Sequence, residues 1–248
     1  MLGHVVARYL KEQGCKVATV CSRFQVGHER EFLEDILRCR PDFVVNCTGL
    51  KKADSTERLN EVNSHLPEVC ARLLPPSVRL IHASSDAVFV PSKPRRTDLD
   101  LPDAEDPYGL SKRTAEAALK SDRCFVIRCS VIGPELATSR NLLSWFLSER
   151  TAVAGYMNHW WNGITTLEWA SLCLQMIRGA NWGSPTILQP GIWPPTTKYD
   201  LLCLVGKVWR HCASVRPAES CDPIYRTLVP NVDSPALQDQ LTLLQEWY

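Results

Sequence analysis

Short apolar runs alternate with amphipathic segments through the first half of the chain, and few folds accept that alternation. Phe43–Asn46 and residues 78–83 and 124–129 are compact runs rich in β-branched residues, each entered from turn-forming residues. Around them lie stretches whose apolar positions recur every three or four residues. These are residues 5–13, closed by Gly14, then 29–38, 56–74, stopped by Pro75-Pro76, and 108–119. Strands that read as apolar throughout are buried on both faces. Joined by helices, they form a parallel sheet, because a parallel connection needs a crossover long enough to return to the same edge. Residues 16–21 are expected as a further strand, and 91–107 as a polar loop.

After Gly133 the pattern loosens. Helices are expected over 142–147, 167–177 and Lys198–Val208, while Trp160-Trp161, Trp193-Pro194-Pro195 and residues 223–230 read as loops or short strands. The expected architecture is α/β: a Rossmann-type, doubly wound parallel sheet over residues 1–133, followed by residues 134–248, mainly a smaller substrate-binding lobe.

A chain of 248 residues, 45% apolar and 22% charged, is long enough for one large domain or a domain with a lobe. A net charge of +1 gives no electrostatic basis for binding nucleic acid or an anionic membrane. No apolar run approaches the roughly 18 residues of a spanning helix. The eleven cysteines contain no C-x-x-C pair and no zinc-ligand pattern with the histidines. They are expected as free thiols in a reducing cytoplasm, with no metal bound.

Chemistry concentrates in two places. Tyr108 and Lys112 are four residues apart, so they share one face of a helix, one turn from each other. The run Leu80-Ile81-His82-Ala83 ends abruptly in Ser84-Ser85-Asp86, which delivers a hydroxyl at a strand's carboxyl end. A phenol titrates near about 10, too high for acid–base work at neutral pH, and an adjacent cation lowers that value. Phenol, ammonium and serine together form a proton-transfer device.

These residues resemble the extended branch of the short-chain dehydrogenase/reductase superfamily, within it the dTDP-4-dehydrorhamnose reductase group. The resemblance rests on Pro41-Asp42-Phe43-Val44-Val45-Asn46-Cys47-Thr48, Val62-Asn63, Ser84-Ser85-Asp86-Ala87-Val88-Phe89 and Asp106-Pro107-Tyr108-Gly109-Leu110-Ser111-Lys112. Arg128 and Asn162-Gly163-Ile164-Thr165-Thr166 also fit, in the expected order. The resemblance implies Tyr108 as general acid and Lys112 as the pKa-lowering cation that also holds a ribose. Ser85, just before the aspartate, would hold the reacting oxygen, with Ser84 as the fallback and a substrate contact. Gly3 matches the last glycine of a phosphate-binding turn, whose opening strand and earlier glycines are not in the sequence. The start therefore reads as truncated, the alternative being a member that has lost cofactor binding.

Ser22 and Arg23, about twenty residues past Gly3, suit the 2′-phosphate of NADP(H), with NAD(H) as the alternative cofactor. Gln25 departs from the aspartate that relatives place near the adenine. Asn46, Cys47 and Thr48 would line the cofactor crevice beside Gly49, and Asn63 would brace it. Asn162 and Thr165 follow Trp160 and Trp161 in a substrate loop or a packed lobe junction, and Arg226 resembles an arginine near the substrate diphosphate. The implied activity is NADP(H)-dependent reduction of a nucleotide-activated 4-keto-6-deoxy sugar in surface polysaccharide precursor synthesis, by a homodimer. Two alternatives are an epimerase or dehydratase on the same scaffold and a non-catalytic regulatory subunit, such as the relative that modulates methionine adenosyltransferase. Asp86-Ala87 lacks the Asp-Glu pair of the dehydratases.

Overall fold

The computed structural model describes residues 1–51, 55–179 and 187–248. The first half runs α1 (Leu2–Glu12), α2 (Glu29–Leu37), β1 (Phe43–Asn46), α3 (Thr56–Asn60), α4 (Leu66–Leu73), β2 (Arg79–Ala83), α5 (Pro107–Ala118) and β3 (Cys124–Ile127). The second half holds β4 (Val131–Ile132), α6 (Leu142–Ser148), β5 (Val153–Tyr156), β6 (His159–Trp161), β7 (Ile164–Thr165), α7 (Thr166–Ile177), β8 (Ile187–Leu188), β9 (Thr196–Thr197), α8 (Lys198–Val208), β10 (Val215–Ala218), β11 (Ile224–Arg226) and α9 (Leu237–Trp247).

The central sheet is parallel, in the order β1-β2-β3-β8, with Asn46 opposite His82 and Ala83 opposite Ile127. Successive side chains of β2 point to opposite faces. Leu80 joins Leu33, Val69 and Val126 under α2 and α4, while Ile81 joins Val6, Trp169 and Cys173 under α1 and α7. All four strands end at one edge. That edge receives Cys47-Thr48, Ser84-Ser85 and Arg128, and crevices at such carboxyl ends are where open α/β sheets bind ligands.

Small sheets β10-β5 and β11-β6-β9 surround a second core of Leu143, Phe146, Trp161, Leu201, Val205 and Leu241. The second half is not wholly separate. Helix α7 packs along α1, and β8 extends the central sheet beside β3.

Residues 16–21 do not form the expected strand. They join no ladder among the described residues, and Val17 alone of the run packs against the core, while Val20 is exposed. Extended propensity without a hydrogen-bonded neighbour does not make a strand. The expected helix over 56–74 is interrupted by a π turn, Glu61–His65, with the Leu66 amide donating to the Glu61 carbonyl. Pro67 has no N–H to give, and in a regular helix its ring would press on the Asn63 carbonyl. The widened turn relieves this and leaves Val62, Asn63 and Ser64 buried. Among the described residues no helix is long and apolar enough to cross a membrane.

Candidate active site

Strand β2 is buried from Leu80 onward and delivers Ser84 and Ser85 in opposite directions. The Ser84 hydroxyl donates to Glu116 Oε1 at 2.5 Å, away from the crevice. Ser85 caps a short 3₁₀ turn: its Oγ accepts from the Ala87 amide at 3.1 Å and donates to Asp86 Oδ1 at 3.1 Å. The Ser130 hydroxyl donates to the same Asp86 oxygen at 2.9 Å.

Helix α5 begins at Pro107, whose missing N–H costs nothing at the first helical position, and Asp106 caps it by accepting from the Gly109 amide at 3.0 Å. Through Gly109 the helix presses onto the Ser85 turn. This brings the buried Tyr108 phenol beside the Ser85 turn. Its pKa is raised above the ordinary value, chiefly by burial, with Asp86 and Asp106 adding to the rise and Ser85 and Arg226 opposing it. The cation whose charge opposes the rise is Arg226.

Lys112 is buried and donates to the Ala83 carbonyl at 3.1 Å. Burial lowers its pKa to about 8, against the opposing pull of Glu116 and Cys47. Above it lies the turn 47–50, clamped by Asn63, whose Oδ1 accepts from the Leu50 amide at 2.8 Å. The same side chain's Nδ2 donates to the Leu50 carbonyl at 2.8 Å and to Ser111 Oγ at 3.0 Å. A Cβ on Gly49 would come 3.2 Å from Lys112 Nζ, close enough to shift the ammonium by a few tenths of an ångström. Asn46 Oδ1 accepts from the Thr48 amide at 3.0 Å, and its amide nitrogen lies 3.2 Å from His82 Nδ1. Burial and the Lys112 charge keep His82 neutral, and burial pushes the Cys47 thiol up to about 12, an unreactive group.

The residues present fit a dinucleotide in three respects. Lys112 uses one of its three N–H bonds on protein and faces a glycine turn. The first turn of α1, which contains Gly3, has no side-chain cap, so its amides are available to a phosphate. Ser22 and Arg23 are exposed, and Arg23 has no partner among the described residues.

Other sequence candidates lie elsewhere. Asn162 is a clamp: its Oδ1 accepts from the Leu228 amide at 3.0 Å, and its Nδ2 donates to the Leu228 carbonyl at 2.7 Å. Thr165 is fully buried and caps α7 by accepting from the Glu168 amide. Both fix the junction between the central sheet and the second core. Arg226 does face the site, with Nη1 donating to the Phe89 carbonyl at 3.3 Å. Sequence reasoning noted Arg128 but missed its buried partner Glu116 beneath the site. Glu116 receives Arg128 Nε at 2.9 Å and Nη2 at 2.5 Å, and Arg128 also donates to Gln189 Oε1 at 2.9 Å. The available signal was an arginine at the end of an otherwise apolar strand.

The family model described as the RmlD substrate binding domain matches residues 1–152. No curated protein matches the chain in sequence. Among solved structures, the chain is similar to dTDP-4-dehydrorhamnose reductase from Bacillus anthracis in complex with NADP, with a TM-score of 0.84 at 14% identity over 100% of this chain and 95% of that one. The corresponding reductase from Clostridium acetobutylicum gives 0.80 at 16% identity, covering 99% and 95%. UDP-glucose 4-epimerase from Thermotoga maritima with UDP-glucose gives 0.74 at 17%, covering 100% and 95%. At these identities the structures share the fold, and the match over residues 1–152 supplies the family. The chain belongs to the RmlD substrate binding domain family, built on the Rossmann-type scaffold of the extended short-chain dehydrogenases/reductases.

Proposed function

We propose that the chain is an NADP(H)-dependent reductase of a nucleotide-activated 4-keto-6-deoxy sugar, serving surface polysaccharide precursor synthesis. The observation that carries this reading is the packing of the Tyr108 helix onto the Ser85 turn through Gly109 and Ala87, with a buried lysine one helical turn away and hydrogens to spare. The similarity to a reductase solved with NADP supports it.

The dinucleotide, when bound, supplies hydride. Lys112 would hold its ribose hydroxyls, α1 its phosphates, and Ser22 and Arg23 its 2′-phosphate. The Ser85 hydrogen, donated to Asp86 Oδ1 in the structure, would turn to the reacting carbonyl oxygen, with Ser130 still donating to that Asp86 oxygen. Tyr108, protonated through the neutral range because its pKa is raised, gives its proton to that oxygen as it becomes an alkoxide. Arg226 stabilises the phenolate left behind and is placed to meet the substrate's phosphates. Residues 134–248 supply most of the sugar-nucleotide contacts.

The test mixes the full chain with NADPH and a dTDP-linked 4-keto-6-deoxyhexose, following NADPH absorbance and the sugar's mass. The reading expects NADPH loss matched by a gain of two hydrogens in the sugar. Binding of both ligands without turnover would instead support the non-catalytic alternative.

A further inference from the structure

Gln189 directly follows β8 and is fully buried at the carboxyl edge of the central sheet. Its side-chain amide reaches three segments that are far apart in sequence. Oε1 accepts from Arg128 Nη1 at 2.9 Å, while Nε2 donates to the Val229 carbonyl at 3.1 Å and to the Arg96 carbonyl at 3.2 Å. Burial of an amide demands partners, and one nearby loop would supply them. The spread of these partners points to a further role.

The contacts converge on Phe89, which ends the Ser85 turn. The guanidinium carbons of Arg128 and Arg96 stand 5.1 Å and 4.9 Å from the centre of its ring. The Phe89 carbonyl in turn receives Arg226 Nη1 at 3.3 Å. The segment that follows Arg226 is fixed by the same residues: the Arg96 amide donates to the Thr227 carbonyl at 3.4 Å, and the Val229 amide donates to the Arg96 carbonyl at 2.8 Å. Gln189 thus holds both the backbone behind Arg226 and the residue on which its side chain rests. Among the described residues the bond to Phe89 is the one hydrogen bond of the Arg226 side chain, so most of its fork is left for an anion.

We propose that Gln189 is a positioning residue for substrate, its amide setting Arg226 in place to meet the diphosphate of the sugar nucleotide. The inference rests on the sugar-nucleotide reading above. A long arginine side chain that is not held in place loses rotamer freedom when it binds, and that loss weakens affinity. Glutamine suits the task because one planar group offers an acceptor to the Arg128 guanidinium and two donors to two carbonyls. Glutamate has the same shape but sets an oxygen against both carbonyls.

The experiment is a double-mutant cycle. Calorimetry measures dTDP and NADPH affinity for wild type, Gln189→Met, Arg226→Gln and the double variant, and thermal melts verify folding. Gln189→Glu, isosteric with the native residue, takes the place of Gln189→Met if that variant does not fold. Loss of a charge-assisted contact predicts dTDP binding weaker by roughly ten- to a hundred-fold in Arg226→Gln, and its misplacement a loss of roughly tenfold in the Gln189 variant. NADPH affinity should stay nearly unchanged in both. Because Gln189 acts through Arg226, the double variant should bind dTDP no more weakly than Arg226→Gln alone. Additive losses, or equal losses of dTDP and NADPH, would assign Gln189 a purely structural role and overturn the proposal. Unchanged dTDP affinity in either single variant overturns it too, while leaving the sugar-nucleotide reading intact. A wild-type chain that does not bind dTDP overturns that reading and the proposal with it.

Discussion

Gly109 lies so close to Ala87 that a Cβ on it would stand 2.4 Å from the Ala87 carbonyl oxygen and 2.5 Å from Ala104 Cβ. This contact sets the distance between the helix that carries Tyr108 and the turn that carries Ser85. Gly109→Ala must push α5 outward, because two of the obstructing groups are backbone oxygen and a short side chain. Overpacking of this kind costs about 1 to 3 kcal/mol, and we expect a lower thermal midpoint together with a loss of turnover larger than the loss of stability explains.

The Glu116–Arg128 pair is nearly dry, with side chains 3% and 1% exposed. Removing one partner strands a buried charge, so Arg128→Met and Glu116→Leu should each cost about 3 to 5 kcal/mol in urea unfolding. The double variant should recover much of that loss. An additive double variant would show that the two side chains act independently.

Lys112 has a folded pKa of about 8, below its ordinary value. The folded state therefore releases this proton at a lower pH than the unfolded state, and its contribution to stability rises as pH climbs from about 8 toward the ordinary lysine range. Ribose binding runs the other way, since it uses the protonated ammonium. NADPH affinity should fall as pH passes through about 8, and Lys112→Arg, which stays charged, should flatten that fall. Calorimetric titration across this pH range measures both.

Arg23 and Ser22 predict a preference for NADP(H) over NAD(H). A charge-assisted contact contributes about 1.5 to 3 kcal/mol, so Arg23→Ala should weaken NADPH by roughly ten- to a hundred-fold and leave NADH nearly unchanged. Equal affinities for the two cofactors in wild type would remove the basis for the assignment.

Phe43–Asn46 and Lys198–Val208 are legible in the sequence to the residue, because turn and cap residues bound them locally. Residues 16–21 are misread because strand formation depends on a neighbour distant in sequence, which propensity does not register. Pro67 signals the π turn, but only in hindsight, since a proline early in a helix is also an ordinary start. Helix α9 goes unread although Leu237, Leu241 and Leu244 share one buried face. At the site, strand alternation separates Ser85 from Ser84, and the helical spacing places Tyr108 and Lys112. The partners of Arg128 are tertiary facts with no local mark beyond a charged residue at the end of an apolar strand.

The central claim is that Tyr108 protonates the sugar oxygen. The direct measurement is single-turnover reduction of a dTDP-linked 4-keto-6-deoxyhexose by wild type and Tyr108→Phe, with NADPH affinity determined on the same samples. Loss of a general acid predicts a rate lower by about two to four powers of ten, with NADPH binding within a few-fold of wild type. A Tyr108→Phe variant that turns over at close to the wild-type rate would contradict the account.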